Sequence, residues 1–414
     1  MKYKRLNHEN CKQIPIGMIP KEWEVCSLGD ESITDLIMGQ SPPSATYNDK
    51  EQGLPFLQGN AEFGEMYPSP ILSCSQPTKL SERNDVLLSV RAPVGDVNIT
   101  PYRLCIGRGL AAIRPKKNKL NYLFLFYSLK FGSKIFESLS MGSTFKAIRK
   151  EEVEKFQLPL PPLPEQQKIA EILSTVDKAI EKANENIVKT DRLKKGLMQV
   201  LLTKGIGHKE FKETEIGKIP KKWEVVRIEK LGDVITGKTP PTSNSVYWNG
   251  NIPFITPVDI HDTKFVYETE RKITTKGIQK VGKVLPKDTV LVVCIGSTIG
   301  KVALTFKESI TNQQINAIIT NNIVSHYIYY AISLISAFLK SFSGTAAVPI
   351  IKKSLFEKLR LALPAFPEQQ KISEILSTVD KKLELLRNKK ERFERIKKSL
   401  MNDLLTGKRR VKYE

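Results

Sequence analysis

The 414-residue sequence contains no apolar run long enough to cross a bilayer, because a membrane-spanning helix needs about 20 predominantly apolar residues. Residues 1–5 are basic but lead into polar sequence, a pattern that does not predict a secretory signal peptide. The five cysteines are odd in number, and no two lie close enough for a zinc knuckle or a redox pair. We therefore expect a reduced, cytoplasmic protein that does not bind a membrane, with Cys294 as a small buried apolar residue.

Recognisable catalytic motifs are also lacking. The four histidines form no His-Glu-x-x-His or comparable pair. The glycine-rich run 296–301 is one residue short of a P-loop, and Val302 stands where that loop needs Ser or Thr for magnesium. Residues 41–44, Ser-Pro-Pro-Ser, lack the aromatic fourth residue of an amino-methyltransferase loop and favour a rigid turn. The sequence thus predicts no catalytic residue, no metal site and no cofactor bound by this chain.

Basic residues are in clear excess. The chain carries 65 Lys and Arg against 44 Asp and Glu, a formal net charge of +21. Such an excess favours a polyanionic partner, because basic side chains release the counterions condensed on nucleic acid. A lysine-rich soluble surface is the alternative, and a membrane surface is disfavoured because no basic amphipathic anchor is present. We expect nucleic acid as the partner.

The two halves of the chain repeat each other at an offset of about 200 residues. Residues 17–25, with Gly-x-Ile-Pro-Lys-x-Trp-Glu-Val, return as residues 217–225. Pro-Glu-Gln-Gln-Lys-Ile at 164–169 returns at 367–372, followed in both copies by Glu-Ile-Leu-Ser-Thr-Val-Asp after one variable residue. Repeats of solenoid proteins span at most about 50 residues, so this is a domain duplication. Most exposed polar residues differ between the copies, which predicts one scaffold with two different surfaces.

A long helix is predicted from Pro164 to about Leu202, and a second one in the other half. Proline suits the first helical position, and Glu165 suits the positive end of the helix dipole. Apolar residues recur in steps of four and three over about five heptads, interrupted at Thr190, Lys194, Lys390 and Lys397. The predicted helix–helix packing residues are Ile169, Leu173, Val176, Ile180, Ile187, Leu197, Leu201, Ile372, Leu376, Val379, Leu383, Leu386, Phe393, Leu400 and Leu404.

So strict a pattern predicts two helices of roughly 55 Å that pack on one another as an antiparallel coiled coil. The alternative is that each helix packs on its own globular domain. The globular segments alternate short β-like runs, such as 86–90 and 289–295, with one helical stretch each, 120–139 and 325–342. We therefore predict an α+β protein: two similar globular domains separated by two long antiparallel coiled-coil helices, with pseudo-twofold internal duplication.

These features resemble the specificity subunit of type I restriction-modification systems. The resemblance is carried by the tandem half-repeats, by Leu-Pro-Leu-Pro-Pro-Leu-Pro-Glu-Gln-Gln-Lys-Ile at 158–169, and by the ending Leu-Leu-Thr-Gly-Lys at 404–408. The first helix departs from that ending, with Leu-Thr-Lys-Gly at 202–205. By this resemblance, residues 1–160 and 208–363 are two target recognition domains, and 161–207 and 364–414 are the spacer helices of the central and C-terminal conserved regions.

The resemblance implies a non-catalytic subunit that binds double-stranded DNA. Each recognition domain would read one half of a bipartite, asymmetric target, and the helices would set the spacer and dock two methyltransferase subunits. Restriction subunits would join that complex. S-adenosylmethionine, ATP and Mg²⁺ are expected on the partner subunits.

Residues that contact DNA are expected in loops after aligned strands, where arginine can bind guanine, amides can bind adenine, and lysine more often holds phosphate. In the first half the candidates are Arg91, Arg103, Arg108, Lys116, Lys117, Lys146 and Arg149. In the second half they are Lys238, Lys301, Asn312, Gln313, Gln314, Lys352 and Lys353.

The alternative function is a duplicated coiled-coil scaffold that binds RNA or other polyanions without reading sequence. Single-strand binding requires exposed aromatic stacking platforms. The aromatic residues here fall mainly in apolar contexts such as 122–127, which favours duplex DNA.

Overall fold

The computed structural model describes residues 10–140, 147–261, 263–321, 323–342 and 349–412. It divides into two compact units: unit 1 comprises residues 1–182 and 390–414, and unit 2 comprises residues 183–389. Helices and strands are numbered in chain order below. The α+β class and the internal duplication predicted from sequence are confirmed, because the two units share most of their succession of strands and helices, with one additional short helix, Thr275–Val281, in unit 2.

The globular part of unit 1 is built from short strands. They are β1 Cys11–Ile14, β2 Gly17–Pro20, β3 Glu24–Ser27, β4 Thr34–Met38, β5 Tyr47–Asn48, β6 Leu54–Leu57, β7 Leu72–Cys74, β8 Leu80–Ser81, β9 Val86–Ser89, β10 Val97–Ile99, β11 Leu104–Ile106, β12 Leu110–Pro115 and β13 Gln157–Leu160. One antiparallel sheet has the order β10-β9-β12-β4, and a second has the order β5-β7-β6-β11-β8, in which β6 and β11 are parallel. The pairs β1–β2 and β13–β3 complete the unit.

The sheet of β9 and β12 lies between two apolar layers. Side chains alternate between the faces of a strand, so Val86 and Leu88 join the large core cluster while Leu87 joins a second cluster on the other face. The helices α1 Tyr122–Phe131, α2 Ser133–Ser140 and α3 Lys150–Glu154 belong to this globular part. Buried Phe124 and Phe126 of α1 fill the large cluster.

The helical stretch predicted over 120–139 is two helices. Asn121 starts α1, its Oδ1 accepting hydrogen bonds from the amides of Leu123 and Phe124 at 3.0 and 3.1 Å. Gly132 ends α1, and a Cβ at this position would lie 2.7 Å from Cζ of Phe156. The break therefore lets the Phe156 ring pack closely, a contact that helical periodicity does not reveal.

Unit 2 repeats this arrangement. Its strands are β14 Phe211–Thr214, β15 Gly217–Pro220, β16 Glu224–Arg227, β17 Gly232–Thr236, β18 Trp248–Ile255, β19 Phe265–Val266, β20 Arg271–Ile273, β21 Val290–Val293, β22 Val302–Thr305, β23 Ile310–Thr311, β24 Ile315–Thr320 and β25 Arg360–Leu363. Its short helices are α5 Thr275–Val281, α6 Ser325–Leu334, α7 Ser336–Phe342 and α8 Lys353–Lys358. The sheets have the orders β17-β24-β21-β22-β19 and β20-β18-β23, beside the pairs β14–β15 and β16–β25.

Two 39-residue helices, α4 Leu163–Leu201 and α9 Phe366–Leu404, each contribute one part to each unit. In unit 1, Lys397 Nζ of α9 lies 2.6 Å from Asp177 Oδ1 of α4. In unit 2, Lys194 Nζ of α4 lies 2.6 Å from Asp380 Oδ1 of α9. Because the late part of each helix pairs with the early part of the other, the helices are antiparallel, as predicted.

Every side chain assigned to the seam between these helices is buried or half-buried. The alternative packing also describes part of the structure, because Ile169 and Leu173 belong to the core of unit 1, and Ile372 and Leu376 belong to the core of unit 2. The first turns of each helix thus complete a globular core. None of the described helices is both long and apolar enough to span a membrane.

Candidate nucleic-acid interface

Loops of unit 1 converge at one edge of its sheets. We define loop edge 1 as residues 39–44, 58–60, 90–96, 107–109 and 147–149. Backbone hydrogen bonds join them: Gly39 N donates to Leu110 O at 2.9 Å, and Gly107 N donates to Leu57 O at 2.7 Å. Val90 N donates to Gly109 O at 2.9 Å. Loops that are distant in sequence therefore form one surface.

Short polar side chains hold loop edge 1 together. Ser41 Oγ accepts hydrogen bonds from Gln58 Nε2 at 2.8 Å and from the amide of Arg108 at 3.2 Å. Asn60 Nδ2 donates to Asp96 Oδ2 at 2.6 Å. The Ser-Pro-Pro-Ser segment thus serves as a turn that supports the Arg108 loop.

Three of the candidate arginines lie at loop edge 1. Arg91, Arg108 and Arg149 are exposed, and none forms an ion pair with a carboxylate in the part of the chain that the structure describes. An unpaired guanidinium retains its full capacity to donate to a phosphate or to a guanine edge. This edge therefore offers arginine chemistry.

The other candidates of unit 1 lie elsewhere. Arg103 precedes β11 and Lys116 follows β12, at the strand ends opposite to loop edge 1. Arg103 Nε lies 3.1 Å from Glu82 Oε1, and Lys116 Nζ lies 2.6 Å from Asp35 Oδ1. Lys117 is exposed at the same end as Lys116. Lys146 lies outside the described residues.

Unit 2 has a corresponding surface. We define loop edge 2 as residues 237–241, 294–301, 311–314 and 349–352. The amide of Lys238 donates to Thr311 O at 3.1 Å, that of Cys294 to Gln314 O at 2.8 Å, and that of Ile351 to Cys294 O at 2.8 Å. Cys294 is 2 % exposed, as the sequence predicted.

Amide side chains dominate loop edge 2. Thr239 Oγ1 donates to Gln313 Oε1 at 2.6 Å, so the exposed Gln313 keeps its amide nitrogen for an outside acceptor. Asn312 is only 7 % exposed, and its Nδ2 donates to Gln314 Oε1 at 2.8 Å, which makes it a support for the loop.

The candidate lysines of unit 2 differ in their partners. Lys238 and Lys352 are exposed at loop edge 2. Lys301 Nζ donates to Ile260 O at 2.8 Å, and Lys353 Nζ lies 3.5 Å from Glu357 Oε1 within α8. Loop edge 2 thus combines amides with lysines, whereas loop edge 1 combines the amides of Gln40 and Gln58 with arginines.

The repeated motifs attach each globular part to a long helix. In unit 1, Trp23 Nε1 donates to Glu165 Oε2 at 3.3 Å, and Arg410 binds the same carboxylate with two bonds of 2.6 and 2.7 Å. The side chain of Glu165 is 0 % exposed. Burial raises the pKa of Glu165 to about 7, and hydrogen bonds from the Trp23 side chain and the Val411 backbone oppose that rise.

Unit 2 contains the corresponding contact with a different basic side chain, a histidine in place of the arginine. Trp223 Nε1 donates to Glu368 Oε2 at 2.9 Å, and His208 Nε2 lies 2.9 Å from Glu368 Oε1. The following glutamine fixes the nearby helix: Asn121 N donates to Gln166 Oε1 at 2.9 Å in unit 1, and Val324 N donates to Gln369 Oε1 at 3.1 Å in unit 2. The repetition of both motifs is the sequence signal for these contacts, but the sequence alone does not show that the two motifs touch.

The comparisons with known proteins agree with this arrangement. Residues 20–190 and 220–395 match the family model for the type I restriction modification DNA specificity domain. The putative type I restriction enzyme MjaX specificity subunit of Methanocaldococcus jannaschii is 48% identical over 196 residues, which span 47% of this chain and 46% of that protein, less than half its length. The MjaVIII specificity subunit of the same archaeon is 28% identical over 418 residues, which cover 98% of this chain and 97% of that protein.

A solved structure shows the same fold. The crystal structure of the S subunit of a type I restriction-modification system from M. genitalium superposes with a TM-score of 0.65 at 16% identity, covering 98% of this chain and 99% of that one. The family model matches both halves of the duplication, each with its globular part and its long helix. This chain belongs to the family of type I restriction-modification DNA specificity proteins.

Proposed function

We propose that this chain is the DNA-binding specificity subunit of a type I restriction-modification complex. Loop edge 1 reads one half of a bipartite, asymmetric target, and loop edge 2 reads the other half. The observation that carries the proposal is the contrast between these edges: both present amides, but loop edge 1 adds arginines without a carboxylate partner among the described residues, and loop edge 2 adds lysines instead. Arginine pairs with guanine and amides pair with adenine in the major groove, so the two halves differ in sequence.

The domain organisation follows from this role. Residues 1–160 and 208–363 act as target recognition domains, and 161–207 and 364–414 act as spacer helices. The start of α4 at Leu163 and of α9 at Phe366 supports these boundaries.

The long helices also serve as the docking surface for two methyltransferase subunits. Large apolar side chains remain exposed along them: Val188 is 44% exposed, Leu193 53% and Leu385 69%. Exposed apolar residues of this size favour a protein partner. Restriction subunits join the assembly, S-adenosylmethionine, ATP and Mg²⁺ are bound by the partners, and this chain itself carries no catalysis.

The composition of the loop edges argues against the RNA-scaffold alternative. The residues of the two loop edges include no aromatic side chain, and the adjacent rings of Tyr47 and Trp248 pack against Phe56 and Phe254. Single-strand binding requires exposed stacking platforms. Buried Phe124, Phe126 and Tyr127 belong to the core of unit 1. Duplex DNA, read through hydrogen bonds in a groove, fits these surfaces better.

The test is co-expression with the adenine methyltransferase subunit, followed by mapping of modified adenines in the host DNA. We expect modification at one asymmetric split motif with a fixed gap. Absence of a complex together with absence of a motif would contradict the proposal and direct attention to salt-dependent RNA binding.

A further inference from the structure

A tyrosine of the globular part of unit 1 meets both long helices at one aspartate. Tyr127 of α1 donates from its hydroxyl to Asp177 Oδ2 of α4 at 2.7 Å. Lys397 of α9 lies 2.6 Å from the other oxygen of Asp177, and its ammonium sits 5.9 Å from the centre of the Tyr127 ring. The side chains of Lys397 and Asp177 are 16% and 21% exposed, so the contact is largely shielded from solvent.

Unit 2 repeats the contact with its own residues. Tyr330 of α6 donates to Asp380 Oδ2 of α9 at 2.5 Å, and Lys194 of α4 lies 2.6 Å from Asp380 Oδ1. The Lys194 ammonium again sits 5.9 Å from the tyrosine ring centre. Two separate parts of the chain therefore use the same three residue types in the same geometry. We call each set a Tyr–Asp–Lys contact.

These contacts explain two interruptions of the heptad pattern. Lys194 and Lys397 occupy seam positions where an apolar residue would be expected. A lysine in a seam costs stability but specifies register when it has one partner. The partner in each case is the last residue of the repeated Ser-Thr-Val-Asp segment.

The aspartate lies well beyond the first turn of its long helix, so the contact holds the domain at a second point along the helix axis. Two other polar attachments of unit 2, through Glu368 and Gln369, lie in the first turn of α9, and Lys264 donates to Ser377 three residues before Asp380. Asp380 lies 12 residues after Glu368, or about 18 Å along the axis at 1.5 Å per residue. Ile372 and Leu376 pack the helix into the core of unit 2 between these points, and the contact at Asp380 extends the attachment beyond them, which limits rocking of the domain on the helix.

We propose that the Tyr–Asp–Lys contacts are positioning devices that fix how each recognition domain sits on the helices, and thereby the length of the DNA gap that the protein accepts. The proposal rests on the proposed function. Tyr330 and Tyr127 act through the orientation of the loop edge in their own unit and not through contact with DNA.

The test measures gap length in the methyltransferase complex. Tyr330→Phe removes one hydroxyl and keeps the ring. The lost hydroxyl donates to Asp380 and also accepts from Lys264. We expect the bases of both half-sites to stay the same, while modification at sites with a gap one base pair longer or shorter rises roughly tenfold or more, since one charge-assisted hydrogen bond corresponds to about tenfold. Lys194→Met should broaden the gap likewise, and Lys194→Arg, which keeps the charge, should retain it.

Tyr329→Phe is the matched control. Tyr329 is the adjacent buried tyrosine, and its hydroxyl has no hydrogen bond to a long helix among the described residues. The control should keep the wild-type gap. A Tyr330→Phe complex with an unchanged gap, or with altered bases in one half-site, overturns the positioning role while the split motif of the wild-type complex still supports the proposed function. Absence of any split motif from the wild-type complex overturns both.

Discussion

A single guanidinium or imidazole completes the attachment of each globular part to its long helix. Glu165 and Glu368 occupy the same motif position and both accept from a tryptophan, but Arg410 closes one site and His208 the other. The repeated motifs supply the carboxylate and the indole of each site. The basic side chain comes from the segment that follows the opposite long helix. The two attachment sites thus have the same geometry but use different basic side chains.

Arg410→Met should destabilise unit 1 strongly. The Glu165 side chain is fully buried, and removal of Arg410 leaves the carboxyl without two hydrogen bonds and also removes the ion pair of Arg410 with Glu22, which costs about 1–3 kcal/mol. The measurement is urea-induced unfolding followed by circular dichroism. The neighbouring Arg409→Met is the control, because Arg409 is 44% exposed and pairs with Asp403 at the surface, worth at most about 1 kcal/mol. Equal losses from both substitutions would contradict the buried-pair interpretation.

Arg108→Ala should weaken recognition of one half-site only. Arg108 lies at loop edge 1 without a carboxylate partner among the described residues, and loss of a bidentate base contact costs about 1–3 kcal/mol of discrimination. The measurement is binding of the complex to duplexes substituted in either half-site. Arg103→Ala removes the same side chain at the opposite strand end and should leave both preferences unchanged. The assignment of the loop edges fails if Arg103→Ala has the larger effect.

Lys264 should give unit 2 a pH-dependent stability. Burial lowers the pKa of Lys264 to about 8, opposed by the charge of Asp380 and reinforced by that of Lys194. Its ammonium donates to Tyr330 Oη at 2.9 Å and to Ser377 Oγ at 2.7 Å. The other charged or titratable groups facing it are His326, Asp288 and Lys381.

Between pH 8 and the ordinary lysine pKa near 10.5, the unfolded chain holds a proton that the folded protein has released, so stability rises with pH. The contribution is complete above that window and is lost as pH falls through 8. Relative to Lys264→Met, the wild-type protein should therefore gain up to about 1.4 kcal/mol per pH unit within the window and show a constant difference below it. Thermal unfolding across pH 7 to 10.5 measures this, and a parallel pH profile for the two proteins would contradict it.

At the scale of elements, sequence periodicity predicted the long helices but could not predict the loop edges. The steps of four and three located α4 and α9 to within a residue or two, because the signal is local and repeated. Arg103 and Arg108 show why the edges were missed: they are five residues apart, but β11 lies between them and carries them to opposite strand ends. The loops that come together at one edge of a sheet are determined by pairing between strands that are distant in sequence, such as β9 with β12.

The lysines in the seam illustrate the same limit. Lys194 and Lys397 looked like defects in the heptad, and Asp177 and Asp380 looked like ordinary polar residues of the repeated segment. Their pairing follows only from an antiparallel register that brings positions about 200 residues apart into contact. Local patterns therefore predicted the elements, and tertiary contacts decided the roles of the polar residues.

Leu385→Glu should disrupt assembly without unfolding the chain. Leu385 is 69% exposed on α9, so a substitution there changes stability by at most about 0.5 kcal/mol, whereas a charge in an apolar docking surface is desolvated at a cost. The measurement is co-purification with the methyltransferase subunit. Asn388→Glu adds the same charge at an exposed polar position of the same helix and should leave assembly intact. Unchanged co-purification of Leu385→Glu would exclude this position from the docking surface.

At the scale of the whole molecule, the duplication predicts modular recognition. Replacement of residues 208–363 by the corresponding domain of a relative should change one half-site and leave the other unaltered, because loop edge 1 is built within unit 1 alone. Mapping of modified adenines in cells that carry the exchanged protein measures this. Changed bases in both half-sites would show that the recognition domains do not act independently.

The two units differ in how they draw on the chain, and this has a consequence during protein synthesis. Unit 2 is one continuous segment, residues 183–389, whereas unit 1 needs residues 390–414 in addition to 1–182. Arg410, which completes the buried site at Glu165, follows the whole of unit 2 in the sequence. Domains generally fold in the order in which they are synthesised. Here unit 1 begins to be translated first but completes its folding last, because residues 390–414 are synthesised only after the whole of unit 2.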